Sequence, residues 1–531
     1  MKYKNKIKFM VKTSKIFYIF IFFPLLFIQS CSNNQNELSK FSPKSSFGYI
    51  VTEEPQATVV GLDILKNGGS AADAVVASFF MLSVTYPVAA GLGSGGVCIV
   101  HDSKNRISES IDFRNLPISP DTFIGIPRAV RAMSGLQARY GNLKWSSVVL
   151  PSEKVSRFGF PASRATSSIS KSLSQLEGKQ DFKPFVVNDI PIKEGQVIVQ
   201  EELAETLSKL RLRGGGDLYF GELGRKFFSG VKQYGLNINF NTLRDFQPVW
   251  QNSKVDFVNE LTILTPNQGT SGSISSAYII KEALKNDKFF KSNEIKNFKS
   301  LAEFSGKASY YAYLKNFSND IPIVIELNNL NETINKTKYP DLSIWKNAGH
   351  DGSTSIVAID KFGQSVACGF SMGSPFGMAK NVNELGFSPG IAFSENENSW
   401  LASGIDFLAP MIISDKLNKE VIFVLVGTKG PSSMSSVSAV VLNTLKHKSL
   451  DKSIRFPRIY FPVNPHEVWV EKSLSSKVLS QLNFQEVAIK AVSKMGHVNA
   501  VYCPNTSSDL LSCEYISDPR GSGLGLSGEL F

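Results

Sequence analysis

Ser353, Thr354 and Ser355 stand directly before an apolar run, Ile356-Val357-Ala358-Ile359, which ends in Asp360-Lys361-Phe362-Gly363. A second run passes through Val366 and Phe370. Two apolar segments joined by a short polar turn with glycine read as a β-hairpin, here with three hydroxyls at its mouth. A hydroxyl is a weak nucleophile unless a base lies beside it. If the chain were cut before Ser353 or Thr354, the new α-amine, with a pKa of roughly 7.7–8.0, would be that base. One residue would then carry both nucleophile and base. Ordinary turns and edge strands carry the same residue types, so the elements that position these hydroxyls have to decide.

The chain has 531 residues, of which 42% are hydrophobic, enough for one large core or two domains and unlike a disordered or fibrous protein. Its first thirty residues are distinct. Lys2, Lys4, Lys6, Lys8, Lys12 and Lys15 precede an apolar run from Ile16 to Ile28, followed by Gln29-Ser30-Cys31. A basic start and an apolar run too short to span comfortably read as an export leader over 1–30. Ser30 before Cys31 resembles the lipobox of bacterial lipoproteins, so Cys31 is the expected lipidated residue, tethering an exported body on the periplasmic side of a bacterial membrane. An uncleaved membrane anchor is the alternative. Residues 32–46 read as a polar linker.

The leader lysines carry 6 of the formal +11 charge, and the remaining basic residues are dispersed, so no nucleic-acid partner is implied. Of the five cysteines, Cys98 and Cys368 lie in apolar runs and read as core, whereas Cys503 and Cys513 flank a polar loop. In an oxidising compartment the latter pair can close a disulfide, which spacing alone leaves open. The five histidines, His101, His350, His447, His466 and His497, are scattered without zinc-type spacing, and no metal or cofactor is indicated.

Helical spacing covers Ala57 to Lys66 and stops at Gly68-Gly69; Ser70 and Asp73 then form a capping-box pattern opening a helix over Ala71 to Val84. Gly91-Leu92-Gly93-Ser94-Gly95-Gly96 follows, leading into strands at Val97 to His101 and Ile107 to Phe113, the second ending in Arg114. Dinucleotide loops place their glycines after a strand and before a helix. This loop has the opposite order, so tight packing explains it better than phosphate binding.

Helix-GG-helix, GLGSGGVCIVHD, IDFRNLP, GIPRAVRAMSGLQARYGNLKW, GGDLYFGELGRKF, DFQPVW, TPNQGTSG, GSTSIVAIDKFGQSVA, GTKGPSS, FPRI, MGHVNAV and ISDPRG occur in the order seen in γ-glutamyltranspeptidases, and the chain resembles that family from about Phe47 to Gly525. The resemblance implies an α+β fold, the four-layer αββα sandwich of N-terminal nucleophile hydrolases. It also implies a precursor that cuts itself before the nucleophile, giving a large part over 47–352 ending at Gly352 and a small part over 353–531, held together as a heterodimer.

Carried over residue by residue, the resemblance puts the nucleophile at Ser353 in the ungapped register, or at Thr354 after a one-residue deletion, with Ser371 as the second-strand hydroxyl near the nucleophile's amine. Arg114 matches the arginine that binds the substrate α-carboxylate, for which a planar fork is suited; a structural ion pair is the other reading of this residue. Other pocket positions differ. Where the family has two adjacent glycines holding the oxyanion, this chain has Gly430-Pro431, and proline has no N–H. The residue gripping the α-amino group falls at Ser399, with Glu395 and Glu397 close by, and the pair of serines near the carboxylate falls at Asp406-Phe407. The activity implied is hydrolysis or transfer of the γ-glutamyl group of glutathione or related γ-glutamyl amides. A lipid-tethered binding protein that has lost catalysis, or an amidase with another acyl specificity, are the alternatives.

Overall fold

The hairpin is present, and its strands are buried on both faces. In the computed structural model, which describes residues 45–119, 122–173, 182, 184–232, 239–285, 288–317, 352–392, 407–463, 466–484 and 487–530, thirteen strands build two large sheets. They are β1 (Ser45–Thr52), β2 (Gly95–Asp102), β3 (Ile107–Asp112), β4 (Val249–Asn252), β5 (Lys254–Val258), β6 (Leu261–Thr265), β7 (Ser353–Asp360), β8 (Ser365–Ser371), β9 (Ala409–Asp415), β10 (Val421–Thr428), β11 (His497–Tyr502), β12 (Glu514–Ile516) and β13 (Leu524–Leu530). The first sheet runs β13-β1-β7-β8-β2-β3-β4 and the second β12-β11-β10-β9-β6-β5. Gly363 closes the β7–β8 turn at φ +80, where its lack of a Cβ removes the strain.

Alternation along each strand sorts the side chains into layers. Tyr49, Val51, Ile99, Val357, Ile359 and Ala367 from the first sheet meet Leu264, Ile412, Val424, Val426 and Val501 from the second. The intervening residues Ile50, Cys98, Ile356, Ala358, Cys368 and Phe370 face α1 (Pro55–Lys66), α2 (Ala71–Thr85) and α3 (Ala129–Tyr140). Ile263, Met411, Ile413, Phe423 and Leu425 face α4 (Ser271–Lys285), α5 (Glu294–Phe317) and α6 (Ser433–His447). This is the expected four-layer αββα sandwich.

All fifteen residues of α2 are buried, as an all-round apolar helix requires. Its capping box is formed: the Ser70 side chain accepts from Asp73 N, and Asp73 accepts from Ser70 N at 3.0 Å. Asp360 at the hairpin turn accepts from Ala71 N at 3.0 Å, fixing the turn against the same helix end. The glycine loop packs as expected. A Cβ on Gly96 would lie 2.2 Å from the Gly369 carbonyl oxygen, so only glycine lets β2 and β8 approach here.

Two expectations need correction. Cys98 and Cys368 are not unpaired core residues: they stand opposite each other in the β2–β8 ladder and form a disulfide. The segment read as a linker ends earlier than 46, because β1 begins at Ser45. Cys503 and Cys513 are bonded. The leader and Cys31 lie outside the described residues.

FPRI, MGHVNAV and ISDPRG converge on one buried ion cluster. Arg458 donates to Asp518 at 2.6 Å and to the carbonyls of Met495 and Gly496 at 2.8 and 2.7 Å. Arg520 pairs with Glu471 and Asp518, and Val498 N donates to Asp518 at 2.8 Å. Burial opposes ionisation of Asp518, but Arg458, His497 and Arg520 outweigh it and hold its pKa below the usual carboxylate range. A lowered carboxyl pKa stabilises the fold above the unfolded value, near 3.9, and that contribution is lost as pH falls through the folded value. Asp518→Asn should therefore flatten the fall in urea midpoint between about pH 4 and pH 2. Asp518→Ala, which strands Arg458, should cost about 3–5 kcal/mol at neutral pH. An unchanged acid profile in Asp518→Asn would remove this role.

Candidate active site

Ser353 is the first residue of β7, and its parity places it with Ser355, Val357 and Ile359 on the face toward the second sheet. Thr354 has the opposite parity, with Ile356 and Ala358 toward the helices. The two hydroxyls differ accordingly. Ser353 Oγ accepts a hydrogen bond from the Lys429 backbone N–H at 3.0 Å, whereas Thr354 Oγ1 is buried with no hydrogen-bond partner among the described residues. Ser355 Oγ accepts from Asn499 Nδ2 at 2.9 Å, which ties β7 to β11.

Ser371 is directly opposite Ser353 in the ladder. Its hydroxyl donates to the Gly352 carbonyl at 3.0 Å and accepts from Gly373 N at 2.9 Å, which fixes the hydroxyl's direction. Met372 N also donates to the Gly352 carbonyl at 3.0 Å. The carbonyl before Ser353 is thus held by two donors, the arrangement that stabilises negative charge developing on oxygen.

The N–H reaching Ser353 comes from Lys429 and not from Gly430. Lys429 sits just past β10 in the left-handed region at φ +68, followed by Gly430 at φ +87. Its side chain is 1% exposed and lies 3.3 Å from Glu53 Oε2. Lys429 Nζ also donates to the Tyr86 hydroxyl at 3.5 Å. Glu53 accepts from Thr428 Oγ1 at 2.8 Å, and His497 Nδ1 lies 3.8 Å from it. Burial raises the Glu53 pKa, but Lys429, His497 and Thr428 together bring it down to about 2, so the carboxylate stays ionised. Sequence reading missed Glu53, Tyr86, Lys429 and His497; the signals present were the GTKGPSS and MGHVNAV segments, which carry Thr428, Lys429 and His497.

Arg114 lies on the transverse row that contains Ser353, Ser371 and Gly95. Ser353 pairs with Ser371 and Ser371 with Gly95; Gly96 and Phe113 exchange both backbone hydrogen bonds, at 3.3 and 3.0 Å, so the next position sets Gly95 beside Arg114. Three strand spacings separate Ser353 from Arg114, about 14 Å between Cα atoms, on one face of the sheet. Arg114 is also an ion-pair partner: it binds Asp112 at 2.7 Å and through Nε at 3.1 and 3.2 Å. Burial opposes the Asp112 charge, but Arg114 prevails and holds that carboxyl below its ordinary range. Residues two apart on a strand share a face, so this pair was readable from Asp112-Phe113-Arg114.

Glu395, Ser399 and Asp406 lie outside the described residues. A cavity of about 390 Å³ is lined by Ser83, Phe185, Gln200, Met372 and Phe387, without Ser353, Lys429 or Arg114. Among the described residues, no three His, Cys, Asp or Glu side chains converge as a metal site.

The family model for γ-glutamyltranspeptidase matches residues 57–527. A glutathione hydrolase proenzyme of Pseudomonas aeruginosa is 24% identical, with the match covering 92% of this chain and 96% of that one. The capsule biosynthesis protein CapD proenzyme of Bacillus anthracis is 23% identical over 87% and 88%. A glutathione hydrolase proenzyme of Bacillus subtilis is 29% identical, but the match spans only 38% of this chain and 39% of that relative. Among solved structures, a cephalosporin acylase from Bacillus halodurans has the same fold, with a TM-score of 0.71, 18% identity and coverage of 92% and 99%. The αββα sandwich, the ordered motifs along nearly the whole body and the family match together make this chain a member of the γ-glutamyltranspeptidase family.

Proposed function

We propose that the chain is an exported, self-processing γ-glutamyl hydrolase or transferase that acts on glutathione or related γ-glutamyl amides through an ester on Ser353. The observation that carries this reading is the doubly hydrogen-bonded carbonyl of Gly352 beside Ser353. In self-cleavage, Ser353 Oγ adds to the Gly352 carbonyl carbon while Ser371 and Met372 N–H hold the oxygen. The Gly352–Ser353 C–N bond then breaks, the serine nitrogen takes the hydroxyl proton, and water hydrolyses the resulting ester. The products are a Gly352 carboxylate and a Ser353 α-amine.

In turnover that amine, with a pKa of roughly 7.7–8.0, takes the proton from Ser353 Oγ as it attacks the γ-carbonyl and passes it to the leaving amine. Lys429 N–H is the donor nearest the reacting oxygen. It lies two residues before Pro431 in the same loop and holds the direction of the attacking hydroxyl. Arg114, on the same sheet face, takes the donor's α-carboxylate, with Asp112 orienting its fork. The description of the relatives as glutathione hydrolase proenzymes supports both the substrate class and the precursor. An amidase with another acyl group is the second reading, favoured by the hold Asp112 has on Arg114.

Ser353→Ala should leave the chain unbroken. Thr354→Val should cleave normally and be neutral to about 2 kcal/mol more stable, because it removes a buried hydroxyl with no partner among the described residues. N-terminal sequencing of the small fragment reads the register, and a start at Thr354 would refute Ser353 as nucleophile. Arg114→Lys, which keeps a charge beside Asp112, should raise KM for a γ-glutamyl anilide by about 10- to 100-fold with self-cleavage intact. A glutaryl anilide, lacking the α-amino and α-carboxylate groups, should be turned over poorly. Equal turnover of the two anilides would favour the second reading.

A further inference from the structure

The disulfide between Cys98 and Cys368 joins residues on opposite sides of the 352/353 bond. Cys98 belongs to β2 and Cys368 to β8; they are directly opposed in the ladder and 0% exposed. The other disulfide, Cys503–Cys513, lies wholly after Ser353. From this placement we infer that the two products of self-cleavage are one covalent molecule, tied through the middle of the first sheet, an inference that rests on the proposed cut before Ser353.

The bond requires an oxidant, and the class that supplies it is a disulfide-bearing thiol oxidoreductase of the exported compartment. The thiolate of one cysteine attacks the donor's disulfide, giving a mixed disulfide. The thiolate of the other displaces the donor, which leaves as a dithiol carrying the two electrons and the two protons given up by Cys98 and Cys368. Both cysteines face the buried layer under α2, out of reach of a protein-sized donor once the sandwich has closed. Oxidation therefore precedes packing of that helix layer, and the bond is in place before the chain is cut.

Its position matters for the site. Three residues along the two strands from the disulfide, Gly95 and Ser371 are opposed, and Ser371 in turn opposes Ser353. The bond therefore fastens the strand that presents Ser371 to the strand pair that ends in Arg114. After cleavage these belong to different fragments, and the tie keeps both halves of the site on one ladder.

The test uses the full chain purified from the exported fraction of an oxidising host, with thiols blocked by N-ethylmaleimide at lysis. Denaturing gels with and without reductant are run beside mass spectrometry of the unreduced digest. The expected result is the mass of the joined chain without reductant, two fragments with it, and a Cys98 peptide linked to a Cys368 peptide. Cys98→Val/Cys368→Val should give two fragments in both lanes with self-cleavage unchanged; should that variant not fold, the wild-type gel pair and linked peptide still decide. Two wild-type fragments without reductant, and no linked peptide, overturn the inference. An unbroken chain in both lanes overturns the cleavage reading instead, and the linked peptide then reports on the bond alone.

Discussion

The hydrogen bond from Lys429 N–H to Ser353 Oγ joins the two sheets at the first residue of β7, and it depends on a backbone conformation that lysine does not favour. A non-glycine residue at positive φ costs about 1–2 kcal/mol. The buried pair with Glu53 holds it there. Glu53 follows β1, which flanks β7 in the first sheet, and Lys429 follows β10 in the second, so the ion pair clamps the two sheets at the end where Ser353 sits. A buried ion pair adds little stability over an apolar pair of the same shape, but breaking it leaves a charge stranded. Its contribution here is directional: it fixes where one N–H points.

That loop also changes how the departures from the family pattern weigh. Gly430-Pro431 reads as the loss of an oxyanion donor, and by itself such a loss is worth roughly 10²- to 10³-fold in rate. The same loop turns the Lys429 N–H, two residues before Pro431, onto Ser353 Oγ, from a position where the side chain is anchored. Catalytic competence in this fold belongs to donors near a point in space and not to particular sequence positions.

Periodic and local features were legible in the chain. The hairpin, α1, α2, its capping box and the packing role of the glycine loop follow from alternation, caps and turns, whereas the layer order was implied by the family resemblance. Ser353 and Thr354 were the two candidates that the resemblance implied, and strand parity puts them on different faces: one residue of register moves a hydroxyl from the inter-sheet face to the helix layer. Glu53, Tyr86 and His497 were not legible, because they come from strand and helix ends far apart in the chain and no local spacing links them. The Cys98–Cys368 pairing was hidden for a related reason. Each cysteine looks like a small core residue in its own strand, and only the β2–β8 register, across a sequence separation of 270, sets them opposite each other.

The interleaving of the first sheet explains why a cut at this place would be tolerated. β7 and β8, from after the 352/353 bond, lie between β1 and β2, from before it. Parting the two fragments would open the middle of the sheet and expose Val357, Ile359 and Ala367 together with their partners across the sandwich. The bond itself falls at the first residue of a strand, so breaking it removes no rung of the ladder beyond Ser353–Ser371. Chain termini are ordinarily the most mobile part of a domain. A terminus created inside a seven-stranded sheet, paired with Ser371 on β8 and with β1 joining the ladder from Ile356 onward, is instead held in register, which is the condition under which an α-amine can act as a positioned base.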